Sequence, residues 1–204
     1  MIILSHRGFW RAPEEKNAPV AFRRTLGEGF GTETDVRDQH GALVVAHDPP
    51  GPQAMPWAEV VAMFEGTGLP LAVNVKADGL APLLKRAFAG TTIDWFAFDM
   101  SGPETVRFAR EDLPFFTRHS DIEPEPVLYG AAQGIWLDAF DSDWFGPEEV
   151  SRHVALGKRV CIVSPDLHGR PHLDQWRRLG SLIGTPGVML CTDHPDQAKE
   201  FFRS

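Results

Sequence analysis

The sequence contains little cysteine and no long apolar run. Its 204 residues include two cysteines, Cys161 and Cys191, which lie in apolar segments without metal-type spacing. Two reduced core thiols are therefore expected, and no disulfide framework is implied. No stretch approaches the roughly eighteen apolar residues of a transmembrane helix, and the first residues lack the pattern of a signal peptide. We therefore expect a cytoplasmic protein that does not insert into membranes.

Basic residues are also scarce. Lys and Arg number 20 against 28 Asp and Glu, which gives a net charge of −8. General attraction to nucleic acid or to anionic lipid is therefore not expected, whereas a small basic pocket for one phosphate remains compatible with this charge. The composition is that of an ordinary globular protein, and the length predicts one domain over residues 1–204.

Short β-rich runs alternate with helical patterns along the chain. The predicted strands are Met1–Ser5, Thr32–Arg37, Leu71–Lys76, Ile93–Asp99, Pro114–Arg118, Gly134–Asp138, Arg159–Ser164 and Gly187–Thr192. The predicted helices are Ala18–Glu28, Trp57–Phe64, Leu80–Phe88, Pro103–Arg110, Glu123–Tyr129, Pro147–Leu156, Leu173–Leu182 and Asp196–Phe202. A short extra strand, Leu43–Ala46, is expected to form a hairpin through a turn at His40–Gly41.

This alternation predicts an α/β fold with a parallel sheet and right-handed crossovers. Eight strand–helix units favour a compact (β/α)8 TIM barrel without a sizeable insertion domain. A doubly wound open sheet is the alternative. It is weakened because neither a Gly-x-Gly-x-x-Gly motif after the first strand nor a Walker lysine motif is present.

Two acidic residues alternate near the end of the second predicted strand. Glu33 and Asp35 share one face of the strand, and carboxylates about 4 Å apart repel by about 4 kcal/mol at an effective dielectric of about 20. Such a pair favours a cation or a shared proton. Oxygen ligands without nearby thiols suit one divalent cation, Mg²⁺ or Ca²⁺, and Asn74 can add an amide oxygen. The alternative is a strand edge with solvated charges.

Two of the eight histidines lie at predicted strand ends beside this pair. His6 and His47 are therefore predicted to act as general acid and base, and Arg7 and Lys76 to bind anionic oxygens of the substrate. Two carboxylates with a metal, two histidines and two cations suit phosphodiester cleavage. Serine acyl chemistry is not expected, because the sequence has no Gly-x-Ser-x-Gly motif.

Three further residues are predicted to contact the substrate. Asp166 and His168 follow the seventh predicted strand, and Trp136, at the end of the sixth, could stack on a sugar or an apolar tail. A solvated loop and simple core packing are the respective alternatives. His153 and His172 are instead expected on helix surfaces.

Several of these segments together resemble the glycerophosphodiester phosphodiesterase family, and more distantly the sphingomyelinase D-type toxins. They are His6-Arg7-Gly8, Asn17 before a helix containing Phe22, Gly29–Arg37, Val44–Asp48 and the closing Thr192–Pro195. The resemblance implies a TIM barrel, a divalent cation held by Glu33, Asp35 and position 74, and a His6–His47 acid–base pair. It also implies attack on phosphorus by a neighbouring substrate hydroxyl, which gives a cyclic phosphate.

The chain also departs from the family pattern. Asn74 stands where the family usually has Glu, and Lys16 stands where Glu is expected in Pro13–Asn17. Only about two dozen residues separate His47 from the third strand, which predicts an open pocket. We therefore expect a small-molecule phosphodiester substrate, glycerol-based or sugar-type, and weaker metal binding. The alternatives are a catalytically silent barrel that binds phosphate or metal, and a lyase that releases the cyclic phosphate.

Overall fold

A ten-stranded, mostly parallel sheet and seven α-helices form a mixed α/β fold in the computed structural model, which describes residues 1–203. The strands are β1 (Ile2–His6), β2 (Gly31–Gln39), β3 (Ala42–Val45), β4 (Met55–Pro56), β5 (Leu71–Val75), β6 (Trp95–Phe98), β7 (Phe116–His119), β8 (Gly134–Leu137), β9 (Arg159–Val163) and β10 (Val188–Thr192). The α-helices are α1 (Pro19–Glu28), α2 (Trp57–Phe64), α3 (Ala81–Ala87), α4 (Gly102–Arg110), α5 (Pro147–Ala155), α6 (Leu173–Arg178) and α7 (Pro195–Phe201).

Eight of the strands are joined by parallel pairing. β1 lies between β2 and β10, β5 pairs with β2 and β6, and β7, β8, β9 and β10 pair in sequence. A single parallel bridge links Ala97 of β6 to Phe115, next to β7. All eight correspond to the predicted strands, which confirms the parallel α/β prediction.

Two short strands extend the sheet in the antiparallel sense. β3 pairs with β2 and β4 with β3. His40 and Gly41 join β2 to β3 with φ angles of 51° and 81°, the left-handed geometry of a two-residue hairpin turn. The predicted hairpin is therefore confirmed, while the two-residue β4 was not predicted.

One predicted helix is wrong. Residues 123–129 form bends and turns instead. Pro124 and Pro126 each lack an N–H donor and disfavour helical geometry in the residue before them, and Leu128 has a φ of 52°. The predicted helix Leu173–Leu182 is divided, because α6 ends at Arg178 and a 3₁₀ turn continues over Leu179–Leu182.

The apolar residues form three buried clusters. Two contain helix residues packed on strands, and the third consists of strand residues alone. The buried members of this strand cluster are Leu4, Ala72, Phe96, Phe98, Phe116, Trp136, Cys161, Val163, Met189 and Cys191. Both cysteines are free, and burial raises the pKa of each thiol well above its ordinary value. The prediction of two reduced core thiols is confirmed.

The helices are short. Within residues 1–203, none combines the length and the apolar character that crossing a bilayer requires.

Candidate functional site

Polar residues follow the strand cluster at the carboxyl ends of several strands, on the same face of the sheet. Because side chains two apart on a strand share a face, each apolar residue near a strand end predicts the direction of the residue two positions later. The pairs are Leu4 and His6, Ala72 and Asn74, Phe116 and Arg118, Trp136 and Asp138, and Cys191 and Asp193. Parallel strands place these ends on one side of the sheet, so the strand cluster is covered by a polar layer at its carboxyl edge.

The centre of this layer is the carboxylate site, formed by His6, Glu33, Asp35 and Asn74. Glu33 pairs in register with His6, and Asp35 pairs with Asn74. Glu33 is 1% exposed, Asp35 0% and Asn74 8%. The alternative of solvated charges at a strand edge is therefore wrong, because both carboxyl groups are buried.

Each of the three predicted metal ligands has a buried oxygen without a hydrogen-bond donor. These atoms are Oε1 of Glu33, Oδ1 of Asp35 and Oδ1 of Asn74. Burial, followed by the charge of Asp35, raises the pKa of Glu33 to about 7. Buried polar atoms are normally satisfied, and unsatisfied carboxylate and amide oxygens are the ligands that Mg²⁺ and Ca²⁺ prefer. The donor set of Glu33, Asp35 and Asn74 therefore fits a hard divalent cation.

Cationic and amide groups surround Asp35. Nε of Arg7 lies 3.0 Å from its Oδ2, without hydrogen-bond alignment, and Nζ of Lys76 lies 3.5 Å from its Oδ1. Asn17 donates to Oδ2 at 2.8 Å and accepts a hydrogen bond from Thr34. Arg7 and Lys76 thus reach the carboxylate site, where they neutralise a carboxylate, and their contact with substrate oxygens stays a prediction.

The backbone conformation after β1 positions the Arg7 side chain at the carboxylate site. Arg7 has a φ of 57°, and Gly8 follows at 80°. A Cβ on Gly8 would lie 2.7 Å from Cβ of Ala21 on α1, so only glycine allows this close approach. The Arg7 N–H donates to the carbonyl oxygen of Glu33 at 2.9 Å and lies 3.2 Å from its Oε2.

Each ring nitrogen of His6 faces a carboxylate group. Its Nδ1 lies 2.7 Å from Oδ1 of Asp193, and its Nε2 lies 3.8 Å from Oε2 of Glu33. Burial raises the pKa of Asp193, but hydrogen bonding and charge attraction to His6 outweigh this and hold it below its ordinary value. Asp166 accepts from the Asp193 N–H at 2.7 Å and from the Thr192 hydroxyl at 2.9 Å. Asp166 therefore fixes the loop that carries Asp193.

His47 lies at the margin of the site. Its side chain is 43% exposed, and its Nδ1 lies 3.0 Å from Oδ1 of Asp48. It lines a cleft of about 440 Å³ that it shares with Arg7, Lys16 and Asn17. The two predicted acid–base histidines thus differ, since His6 is fixed by a carboxylate whereas His47 is open to solvent.

The other predicted substrate-binding residues have structural partners. Trp136 is 4% exposed and stacks on Phe98 with ring centroids 3.7 Å apart, which is the core-packing alternative. Nε2 of His168 lies 2.7 Å from Oδ1 of Asp138, and this hydrogen bond raises the pKa of His168. His168 therefore anchors its loop to the end of β8.

The site also includes residues that were absent from the predicted set. Asp193 fixes His6, Asn17 bonds Asp35, and Lys16 has its Nζ 3.9 Å from Oδ2 of Asp193. Asn17 and Asp193 stand in the motifs quoted above, and the two-residue spacing of Asp193 from the buried Cys191 is the signal that could have placed it on the face of the strand cluster. Asp99 accepts from the side-chain amide of Asn74 at 3.2 Å and also pairs with Arg118.

The comparisons with known proteins add no family assignment. No protein-family model matches the chain, and no curated protein matches it significantly.

Proposed function

We propose that the chain is a metal-dependent phosphodiesterase similar to the glycerophosphodiester phosphodiesterases. The observation that carries this proposal is the set of three unsatisfied buried oxygens, on Glu33, Asp35 and Asn74, beside the fixed imidazole of His6. Buried polar atoms are normally satisfied, so these oxygens support a bound cation, in addition to the Lys76 ammonium that lies 3.5 Å from Oδ1 of Asp35.

A closed (β/α)8 barrel is the architecture we propose for this site. The proposal is supported by the parallel bridge between Ala97 and Phe115, which connects β6 to the segment entering β7. It is further supported by the strand cluster, which takes side chains from seven of the eight parallel strands. A packed interior below an active site at the carboxyl ends of the strands is typical of such barrels.

Glu33, Asp35 and Asn74 would hold one divalent cation, Mg²⁺ or Ca²⁺, which when bound stabilises negative charge on phosphate oxygens. Arg7 and Lys76 then have a second role. Their charged groups already lie within 3.5 Å of Asp35, so a phosphodiester entering the site meets two cations at its anionic oxygens.

His6 carries out proton transfer at its Nε2. The carboxylate of Asp193 accepts a hydrogen bond from Nδ1–H of His6. The lone pair of the neutral imidazole is then on Nε2, the nitrogen that faces Glu33. In the reaction, an attacking oxygen forms the new bond to phosphorus and gives its proton to one histidine. The leaving alcohol departs with the electron pair of the broken P–O bond and takes a proton from the other histidine.

His47 is the second histidine of this proposal. Its exposed ring lines the cleft that also contains Arg7, so a substrate in that cleft could contact both. A neighbouring hydroxyl of the substrate, as the family resemblance implies, would give a cyclic phosphate, whereas water would give the phosphomonoester. The open cleft suits a small glycerol-based or sugar-type phosphodiester.

Metal-dependent hydrolysis of bis-p-nitrophenyl phosphate, with Mg²⁺ or Ca²⁺, tests the proposal. His6→Ala and His47→Ala should each reduce the rate by roughly 10²–10⁴-fold, the usual contribution of a general acid or base. His40→Gln, a substitution in the exposed turn between β2 and β3, is the matched control and should leave the rate unchanged. Unaltered hydrolysis by both alanine variants would contradict the proposal.

A non-catalytic phosphate-binding function is the second candidate. It is favoured by the solvent exposure of His47 and by its bond to Asp48 rather than to the carboxylate site. Calorimetric binding of inorganic phosphate, together with no turnover across a panel of glycerophosphodiesters, lysophospholipids and sugar phosphodiesters, would establish it. Where turnover occurs, ³¹P NMR of the products distinguishes a cyclic phosphate from a monoester.

A further inference from the structure

We propose a second metal site, for a borderline transition metal such as Zn²⁺, formed by His119, Glu149 and His153. This imidazole cluster brings together Nδ1 of His119, Oε1 of Glu149 and Nε2 of His153. His119 ends β7, while Glu149 and His153 lie four residues apart on α5 and therefore share one face of that helix. The expectation that His153 lies on a helix surface is wrong, since it is 1% exposed.

The three atoms form a triangle of the size that zinc requires. The separations are 3.1 Å between the two nitrogens, 3.3 Å between His119 and Glu149, and 3.2 Å between His153 and Glu149. Zinc bonds of about 2.0–2.1 Å at tetrahedral angles place ligand atoms about 3.3 Å apart. Two imidazoles and one carboxylate are also a frequent protein donor set for this ion, with the fourth position left to water.

Hydrogen-bonding groups outside the triangle orient both rings. The Tyr129 hydroxyl lies 2.8 Å from Nδ1 of His153, and the backbone of Pro124 bonds the His119 ring. Ligating histidines commonly use their second nitrogen in this way. When each ring proton is held by these outer partners, the nitrogens that face Glu149 present lone pairs, and three acceptors then surround a space suited to a cation.

The remaining neighbours are compatible with an ion. Arg152 also contacts Glu149, with its Nε 3.1 Å from Oε2, the oxygen that is not part of the triangle, although its terminal nitrogen reaches Oε1 as well. Burial lowers the pKa of both imidazoles, so the neutral forms that bind metals predominate at pH 7. A cavity of about 270 Å³, lined by both histidines, provides a route for the ion.

The imidazole cluster is separate from the carboxylate site. His119 follows Arg118 on β7 and pairs in register with Leu137, a member of a helix-covered cluster. Its side chain therefore points to the helix-covered face of the sheet, opposite to the face that carries the strand cluster. The two sites also differ in chemistry, because oxygen donors favour Mg²⁺ or Ca²⁺ and imidazoles favour transition metals.

Titration of the full chain with Co²⁺ tests the proposal, because four-coordinate Co²⁺ with nitrogen ligands absorbs visible light far more strongly than six-coordinate Co²⁺ in oxygen sites. We expect one strongly absorbing equivalent per chain, displaced by Zn²⁺ but not by Mg²⁺. Glu149→Gln and His119→Gln should weaken Co²⁺ binding by at least the roughly 10–100-fold that loss of an outer-shell partner costs. Circular dichroism verifies that each variant is folded.

Two controls make the result specific. His40→Gln removes an exposed histidine and should leave the spectrum unchanged, and Asp35→Asn, in the carboxylate site, should also leave it unchanged. Loss of the bands in Asp35→Asn but not in Glu149→Gln would overturn the assignment, as would a pale six-coordinate spectrum of the wild-type chain. If the variants do not fold, a Zn²⁺-dependent rise in the Tm of the wild-type chain that Mg²⁺ does not reproduce supports the site, and no rise overturns it.

Discussion

The carboxylate site and the imidazole cluster respond to burial in opposite ways. Burial opposes the charged form of any group, so it raises the pKa of Glu33 to about 7 and lowers that of His153 to about 4. The buried carboxyl thus gains a proton that a cation could replace, whereas the buried imidazole becomes a neutral ligand. Burial alone therefore does not identify a metal site, and the donor atoms determine which ion each site suits.

The largest expected effect is on the pH dependence of stability through Glu33. In the metal-free protein its pKa is raised from 4.5 to about 7, so the folded state retains a proton that the unfolded chain releases. This contribution is fully present below about pH 4.5 and is lost as the pH rises through 7, by up to about 3 kcal/mol. Glu33→Gln should remove this loss in urea unfolding at pH 5 and pH 8 with EDTA present.

The control for that experiment is Glu59→Gln, which removes an exposed carboxylate from α2. Its pH dependence should equal that of the wild-type chain. If the Glu33→Gln variant showed the same pH dependence of stability as the wild-type chain, the Glu33 carboxyl would not be protonated in the folded state. Burial would then not shift the pKa values of the two sites in opposite directions.

The next largest effect is expected for Asp193→Asn. In the proposed reaction Asp193 is a positioning residue, because its carboxylate lies 2.7 Å from Nδ1 of His6 and favours the Nδ1–H tautomer. The substitution should lower kcat for bis-p-nitrophenyl phosphate by roughly 10²-fold with little change in KM, and ¹⁵N NMR should show a mixed tautomer of His6. Asp196→Asn, an exposed change on α7, is the control. An unchanged His6 tautomer together with a wild-type kcat would show that Asp193 does not position His6.

A smaller effect is expected for Asn74→Glu. A third carboxylate in the carboxylate site should tighten Mg²⁺ or Ca²⁺ binding by about tenfold, since ligand charge tunes affinity. Calorimetric titration measures this change, and Co²⁺ bound to the imidazole cluster should keep its spectrum. Gln133→Glu adds the same charge at an exposed position and should have no effect. Unchanged affinity in the Asn74→Glu variant would count against Asn74 as a ligand.

The last effect is expected on the acid side, through His153, whose pKa shift is opposite in sign to that of Glu33. Its pKa is lowered from 6.5 to about 4, so the unfolded chain binds a proton that the folded state does not. This contribution to stability is present above about pH 6.5 and is lost as the pH falls through 4, the reverse of the Glu33 effect. His153→Gln should flatten the acid limb in unfolding measurements. A steeper limb would mean that His153 is charged when folded.

Local patterns were sufficient to predict most of the fold. Continuous apolar runs identified all eight parallel strands, and the His40–Gly41 turn identified the hairpin, because each signal depends on a few adjacent residues. The helix predicted over Glu123–Tyr129 failed where Pro124 and Pro126 outweigh an apparent helical pattern. Closure of the barrel depends on contacts between distant strands and remains a prediction.

The candidate site was predictable where it follows strand alternation. Glu33, Asp35 and Asn74 come from positions on strands, so their shared face could be read from spacing. Asn17 and His47 lie on connecting segments, whose approach to the strands depends on the folded chain. The prediction that His153 lies on a helix surface was wrong because it rested on the polarity of histidine. His153 lies three residues after the buried Val150 on α5, and therefore on the same face of the helix.

The left-handed backbone of Arg7 has a thermodynamic consequence. A non-glycine residue in this region costs about 1–3 kcal/mol, and its φ of 57° is maintained by bonds to Glu33 and Asn17. Replacing Arg7 with glycine would relieve this strain, but it would also remove the guanidinium 3.0 Å from the buried carboxylate of Asp35, and breaking a buried ion pair costs more than the strain. The strained backbone is therefore retained at a net gain in stability.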